Sequence, residues 1–112
     1  MLKASCHCGS VQFEIPAPPD RLNQCLCSIC RRYGTLWGYY RPDEVRLTGK
    51  PDATEVYCWG DQEIEFHRCR VCGCVAYWLP IDQAETRMGI NARLLDPEDI
   101  AGVPIKQSPG PP

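Results

Sequence analysis

The chain has 112 residues, 44% hydrophobic and 23% charged, with a formal net charge of −2, which suits one domain with a core and excludes a nucleic-acid partner held mainly through its phosphates. No apolar run reaches the roughly 18–20 residues that cross a bilayer, so no membrane partner is expected. The opening Met1-Leu2-Lys3-Ala4-Ser5-Cys6 lacks the apolar stretch of a secretory signal, and a soluble cytoplasmic protein is expected.

Strand signals dominate in chain order. Val11, Phe13 and Ile15 alternate with polar neighbours, the pattern of a half-buried strand. The proline-rich stretch 16–20 breaks it into a loop. A single helical turn is expected over 28–33, just after Cys27. Residues 35–41 are aromatic-rich and predict a strand stopped by Pro42. A short strand at 45–48 leads into the turn Gly49-Lys50-Pro51. Residues 55–59 and 63–67 flank Gly60-Asp61-Gln62 and predict a hairpin with Ile64 and Phe66 facing inward. Strands at 74–79 and 86–91 follow, and Asp96 stands where it would cap a turn opened by Pro97. Residues 1–105 read as one domain and 106–112, rich in proline and glycine, as a flexible tail. The prediction is an all-β, mainly antiparallel domain with short helical turns.

Nine cysteines are the outlying feature. The odd count, the expected reducing compartment and the spacing of Cys6-x-Cys8 and Cys25-x-Cys27 favour metal ligation over disulfides. Three clusters carry the pattern: Cys6-x-Cys8-Gly9, Cys25-x-Cys27-x-x-Cys30 and Cys69-x-x-Cys72-Gly73. Structural zinc takes four ligands in a tetrahedron, and a glycine after the second cysteine admits the positive φ of a tight knuckle. Pairing Cys6 and Cys8 with Cys69 and Cys72 would give one closed site. Cys25, Cys27 and Cys30 supply three ligands with no fourth in their own segment, which is how open, catalytic zinc sites are built. Cys58, Cys74, His7 or His67 would each close that site if brought to it.

These motifs have a family likeness. Ser5-Cys6-His7-Cys8-Gly9-Ser10-Val11, Cys25-Leu26-Cys27-Ser28-Ile29-Cys30-Arg31 and Phe66-His67-Arg68-Cys69-Arg70-Val71-Cys72-Gly73 stand in order, followed by Gly89-Ile90-Asn91-Ala92-Arg93-Leu94-Leu95-Asp96. From about residue 2 to 105 the chain resembles the glutathione-dependent formaldehyde-activating family, also called the centromere protein V/GFA domain. The resemblance implies a zinc-bearing, mostly antiparallel β fold with two zinc ions per chain. One would be structural, on Cys6, Cys8, Cys69 and Cys72; the other open, on Cys25, Cys27 and Cys30. It also implies the family's founding reaction, which joins glutathione and formaldehyde into S-hydroxymethylglutathione, a carbon–sulfur lyase running in reverse. Cys74 stands where the family more often has a small hydroxyl residue, and Cys58 is additional.

An open zinc would take a small thiol such as glutathione as thiolate, the nucleophilic form, beside a polarised carbonyl. Arg31 and Arg32 would offset the three thiolates and grip a substrate carboxylate, or stand as solvated surface arginines. Tyr33, Trp37, Tyr39 and Tyr40 make either an aromatic wall for the ligand or strand core, with Trp59 and Trp78 read as packing. His67 is expected at the surface and His7 turned away from the metal. Two further classes stand beside the lyase: a non-catalytic, zinc-stabilised thiol-binding or protein-interaction module, and more distantly a methionine sulfoxide reductase. The sequence leaves the oligomeric state open.

Overall fold

The computed structural model describes residues 1–59, 63–82 and 84–110. Among these residues ten strands and one short α-helix follow in order: β1 (Leu2–Ser5), β2 (Gln12–Ile15), β3 (Leu22–Cys25), α1 (Ser28–Tyr33), β4 (Trp37–Tyr40), β5 (Arg46–Leu47), β6 (Thr54–Cys58), β7 (Ile64–Cys69), β8 (Val75–Pro80), β9 (Met88–Asn91) and β10 (Ile105–Ser108). They build a three-stranded sheet, β1-β2-β5, and a seven-stranded sheet, β10-β3-β4-β9-β8-β7-β6. Every pairing is antiparallel except the one between β10 and β3. The expected all-β, mainly antiparallel class is what forms. Among the described residues no helix is long and apolar enough to cross a membrane.

The period of two in the strands divides the core. Phe13 and Ile15 of β2 are fully buried and meet Leu22, Tyr77, Met88 and Ile90 of the large sheet, so the main core lies between the sheets. Alternate residues of the large sheet face the other way. There Trp37, Phe66 and Trp78 gather a second apolar cluster around Cys25, Cys27 and Cys30. The two faces of one sheet thus carry two separate groups of thiols, since Cys6 and Cys69 belong to the inter-sheet core.

Several elements differ from expectation. β1, β3 and β10 carry weak strand patterns, Leu-Lys-Ala-Ser, Leu-Asn-Gln-Cys and Ile-Lys-Gln-Ser, and are made by pairing rather than propensity. The segment read as a loose tail begins as β10: Ile105 to Ser108 run alongside Leu22 to Cys25. The ladder holds their backbone groups, which composition alone does not reveal. The turn expected at Gly60-Asp61-Gln62 lies outside the described residues, but β6 and β7 on either side pair from Thr54↔Cys69 to Cys58↔Glu65. A 3₁₀ turn opens at Pro97 as expected, held by the Asp99 N–H on the Asp96 carbonyl (2.9 Å) rather than by the Asp96 side chain.

Candidate metal centres

The first thiol group is built from one local shape used twice. Cys6 leaves β1 and Cys69 ends β7, and each is followed by a tight turn closed by glycine, Gly9 (φ 86°) and Gly73 (φ 82°). Gly9 N–H bonds to the Cys6 carbonyl (3.2 Å) and Gly73 N–H to the Cys69 carbonyl (3.0 Å). A side chain at those φ values would strain the turn. Backbone N–H groups inside the turns point at sulfur: Val11 N–H to Cys6 Sγ (3.3 Å), and Val71 and Cys72 N–H to Cys69 Sγ (3.3 and 3.4 Å).

The Sγ atoms of Cys6, Cys8, Cys69 and Cys72 lie within 4.8 Å of one another. Cys6 and Cys8 are 3.7 Å apart, and Cys8 and Cys69 3.6 Å. Four sulfurs at about 2.3 Å from a central zinc would be about 3.8 Å apart, so this donor set fits a tetrahedral thiophilic ion. The thiols of this group are uneven. Backbone N–H groups of Cys74 and Cys8 pull Cys72 down to about 5, whereas burial pushes Cys6 up to about 11. Cys8 is lowered by its contact with the Ser10 hydroxyl, 3.3 Å away.

The second group comes from a single segment. Cys25 ends β3, Cys27 is the N-cap of α1, and Cys30 lies one turn into that helix. Cys27 Sγ accepts the N–H of Cys30 (3.4 Å), and Cys30 Sγ accepts the indole N–H of Trp37 (3.3 Å). All three are buried and their sulfurs lie within 4.8 Å of one another. Burial raises Cys25 and Cys30. For Cys27 burial also opposes ionisation, but the Cys30 N–H and neighbouring sulfurs bring it below the ordinary value. The set suits a thiophilic ion with three protein ligands.

Among the described residues no fourth cysteine, histidine or carboxylate joins this group. The residues weighed for closure are directed elsewhere. In β6, Cys58 shares the parity of Val56, which pairs with His67, whereas Tyr57 pairs with Phe66 on the cluster's face. Cys74 packs against the inter-sheet core. His7 is exposed in the first knuckle. His67, expected at the surface, has a side chain only 12% exposed. It stacks on Tyr77 at 4.7 Å, and its Nδ1 lies 2.8 Å from the Thr54 hydroxyl.

A cavity of about 270 Å³ opens beside Cys25, Cys27 and Cys30. Trp37, Tyr39, Trp59, Phe66 and Trp78 wall it, so Trp37 and Tyr39 of the weighed aromatic run face a cavity. Tyr33 packs edge-on against Phe66, and Tyr40 turns to the other face, where its hydroxyl donates to the Ala17 carbonyl (2.7 Å). Arg31 and Arg32 do not line the cavity. Both are exposed on α1, and Arg32 Nη1 donates back to the Ser28 carbonyl (2.8 Å). The basic residue of the described lining is Arg87.

The sequence reading missed Arg87, Asn23 and the tail, because nothing local in the sequence links them to the cysteines. The tail arrives through β10, extended by Leu26 N–H to the Ser108 carbonyl (2.8 Å). Gly110 follows with φ 73°, where an added Cβ would sit 2.7 Å from Cys27 Cβ and 2.9 Å from Cys25 Sγ. A larger groove of about 570 Å³ lies on the opposite side, lined in part by Gln12, Lys50, Thr54 and His67, and holds no cysteine of either group.

Comparison with known proteins points to one family. The family model described as "Glutathione-dependent formaldehyde-activating enzyme" matches residues 1–106. A Halomonas elongata protein named "Putative glutathione-dependent formaldehyde-activating enzyme" is 34% identical over 74 residues. That match takes in 65% of this chain and 43% of the relative, so the chain spans less than half of that protein's length. The crystal structure of a Rhodobacter sphaeroides protein superposes with a TM-score of 0.76 at 26% identity, covering 94% of this chain and all of that one.

Proposed function

This chain belongs to the glutathione-dependent formaldehyde-activating family, and on that premise we propose that it is a two-zinc protein that adds a small thiol such as glutathione to an aldehyde. Cys6, Cys8, Cys69 and Cys72 would hold a closed structural zinc, and Cys25, Cys27 and Cys30 the open one. When bound, that second zinc would supply thiol acidification and Lewis acidity toward a carbonyl oxygen. In the overall reaction the thiol sulfur bonds to the carbonyl carbon, the C=O π bond breaks, and the thiol proton ends on the oxygen. The product is a hemithioacetal, S-hydroxymethylglutathione in the case of formaldehyde. The reverse reaction is a carbon–sulfur lyase.

The chain's own residues support this role in definite ways. Cys27 orients through the Cys30 N–H, and Trp37 fixes Cys30 through its indole. The aromatic walls give the cavity a largely apolar lining beside the three cysteines, and electrostatic interactions are stronger in apolar surroundings. The observation that carries the reading is the three-thiol group opening onto a cavity, with no fourth ligand among the described residues. Calorimetry with glutathione on wild type and Cys27→Ser, each with analysed zinc, tests it. The expected result is two zinc ions and thiol binding in wild type, one zinc and no binding in the variant. Labelled formaldehyde followed by NMR should show hemithioacetal forming faster with wild type. Equal glutathione affinity in both proteins would overturn the proposal, and binding without acceleration would leave a thiol-binding module.

A further inference from the structure

Resting on that thiol-site reading, we propose that Arg87 determines substrate specificity by selecting thiols that carry a carboxylate. Arg87 immediately precedes β9, whose pairing with β4 sets Met88 opposite Tyr40. Its backbone is therefore anchored although its side chain is exposed. The guanidinium carbon sits over the Tyr39 ring, 4.6 Å from the centroid. Tyr39 is itself fixed: its hydroxyl accepts from Asn23 Nδ2 (2.6 Å), and its ring meets Trp78 edge-on at 6.2 Å. A cation over an aromatic face is held by charge and uses none of its five N–H donors.

Those donors have no carboxylate of the described protein within ion-pair distance. The nearest acid in sequence, Glu85, turns its Oε1 to the backbone N–H groups of Thr86 and Arg87 (2.9 and 3.1 Å). Other arginines are engaged: Arg41 with Asp43, Arg68 and Arg70 with Glu55, and Arg93 with the Gly34 carbonyl. A guanidinium held this way matches a carboxylate in two-point geometry, which an ammonium does not. Arg87 and the three cysteines line one cavity. A thiol with its sulfur among the cysteines would have its carboxylate directed along the same cavity toward Arg87. Ligands of this class include 3-mercaptopropionate and glutathione.

The test is calorimetry on the zinc-loaded protein with 3-mercaptopropionate, 2-mercaptoethanol, cysteamine and glutathione, using wild type, Arg87→Gln, Arg87→Lys and Cys27→Ser. The wild type should bind 3-mercaptopropionate at least tenfold more tightly than 2-mercaptoethanol and cysteamine, a preference that shrinks with added salt. Arg87→Gln should bring 3-mercaptopropionate down to the level of the neutral thiol, with zinc content and melting temperature unchanged. Arg87→Lys should recover only part of the preference. Thiols that bind through Cys27 with no carboxylate preference, or a preference that survives in Arg87→Gln, would overturn the role of Arg87 while leaving the thiol site standing. Failure of every thiol to bind wild type, or equal binding by Cys27→Ser, would overturn both.

Discussion

Cys69→Ser is the most demanding test of how the two sheets are held together. Cys69 is 2% exposed, its Sγ receives two backbone N–H groups, and it lies 3.6 Å from Cys8 Sγ. It therefore stands where the end of β7 in the large sheet meets the turn after β1 in the small one. Structural zinc in small modules contributes about 10–16 kcal/mol, against about 5–15 kcal/mol for the whole stability of a typical domain. The apolar contact between the sheets does not replace that. Phe13 and Ile15, the fully buried side chains of β2, contribute about 1.5–3 kcal/mol each. Serine offers a harder, less acidic donor on a shorter bond, so the variant should lose one metal ion per chain. A loss of only about 3 kcal/mol would lower Tm by more than about 10 °C in a domain this small, and a larger loss leaves the chain unfolded or insoluble. Circular dichroism melts with zinc analysis measure both quantities, with Cys58→Ser as a control outside either group. A soluble Cys69→Ser protein with wild-type Tm and two zinc ions per chain would refute the reasoning.

Gly110→Ala should lift the tail from the second thiol group, because its Cβ would meet Cys25 Sγ and Cys27 Cβ inside van der Waals distance at a φ of 73°. A chelator should then withdraw the second metal several-fold faster, with Tm nearly unchanged because β10 stays paired through Ser108; an unchanged rate would refute the contact. His67→Gln should flatten the pH dependence of stability. Burial holds His67 below its ordinary pKa of 6.5 despite the opposing charge of Glu65. As pH falls through about 6.5 the unfolded chain takes a proton that the folded chain refuses, so stability is lost on acidification and fully present above about pH 7.5. Melts from pH 7.5 to 5.5 should therefore fall more steeply for wild type than for His67→Gln, and parallel curves would sink the argument.

What the sequence made legible followed from local chemistry. The knuckles were readable because a Cys-Gly turn needs the glycine at Gly9 and Gly73, and α1 stands where a helical turn was expected after Cys27. The strand at 12–15 announced itself by the alternation of Phe13 and Ile15. Illegible were the elements that exist only through partners. β3 and β10 have little apolar pattern and form because each offers the other a ladder. The arginines beside Cys30 were natural candidates for a charged grip, yet both stay exposed on α1 outside the cavity lining, and Arg32 folds back on Ser28. Arg87 is distant in sequence, and β9 brings it there. His67 misled because strand alternation gives a face but not what covers it; here that is Tyr77 and Thr54.

The contrast between the two thiol groups follows from how many chain segments feed each. Two knuckles from distant strands bring two sulfurs apiece, so Cys6, Cys8, Cys69 and Cys72 make a set of four that could hold one ion between the two sheets. A single capped turn brings three sulfurs, and the sheet face it lies on presents aromatic rings rather than a second knuckle. The strand that might have supplied Cys58 presents Tyr57 to that face instead, since a period of two sends successive residues to opposite sides. Moving Cys58 by one position in register would carry it to the cluster's face. That this group stays at three sulfurs among the described residues is therefore a property of strand parity in β6 as much as of the cysteine spacing itself.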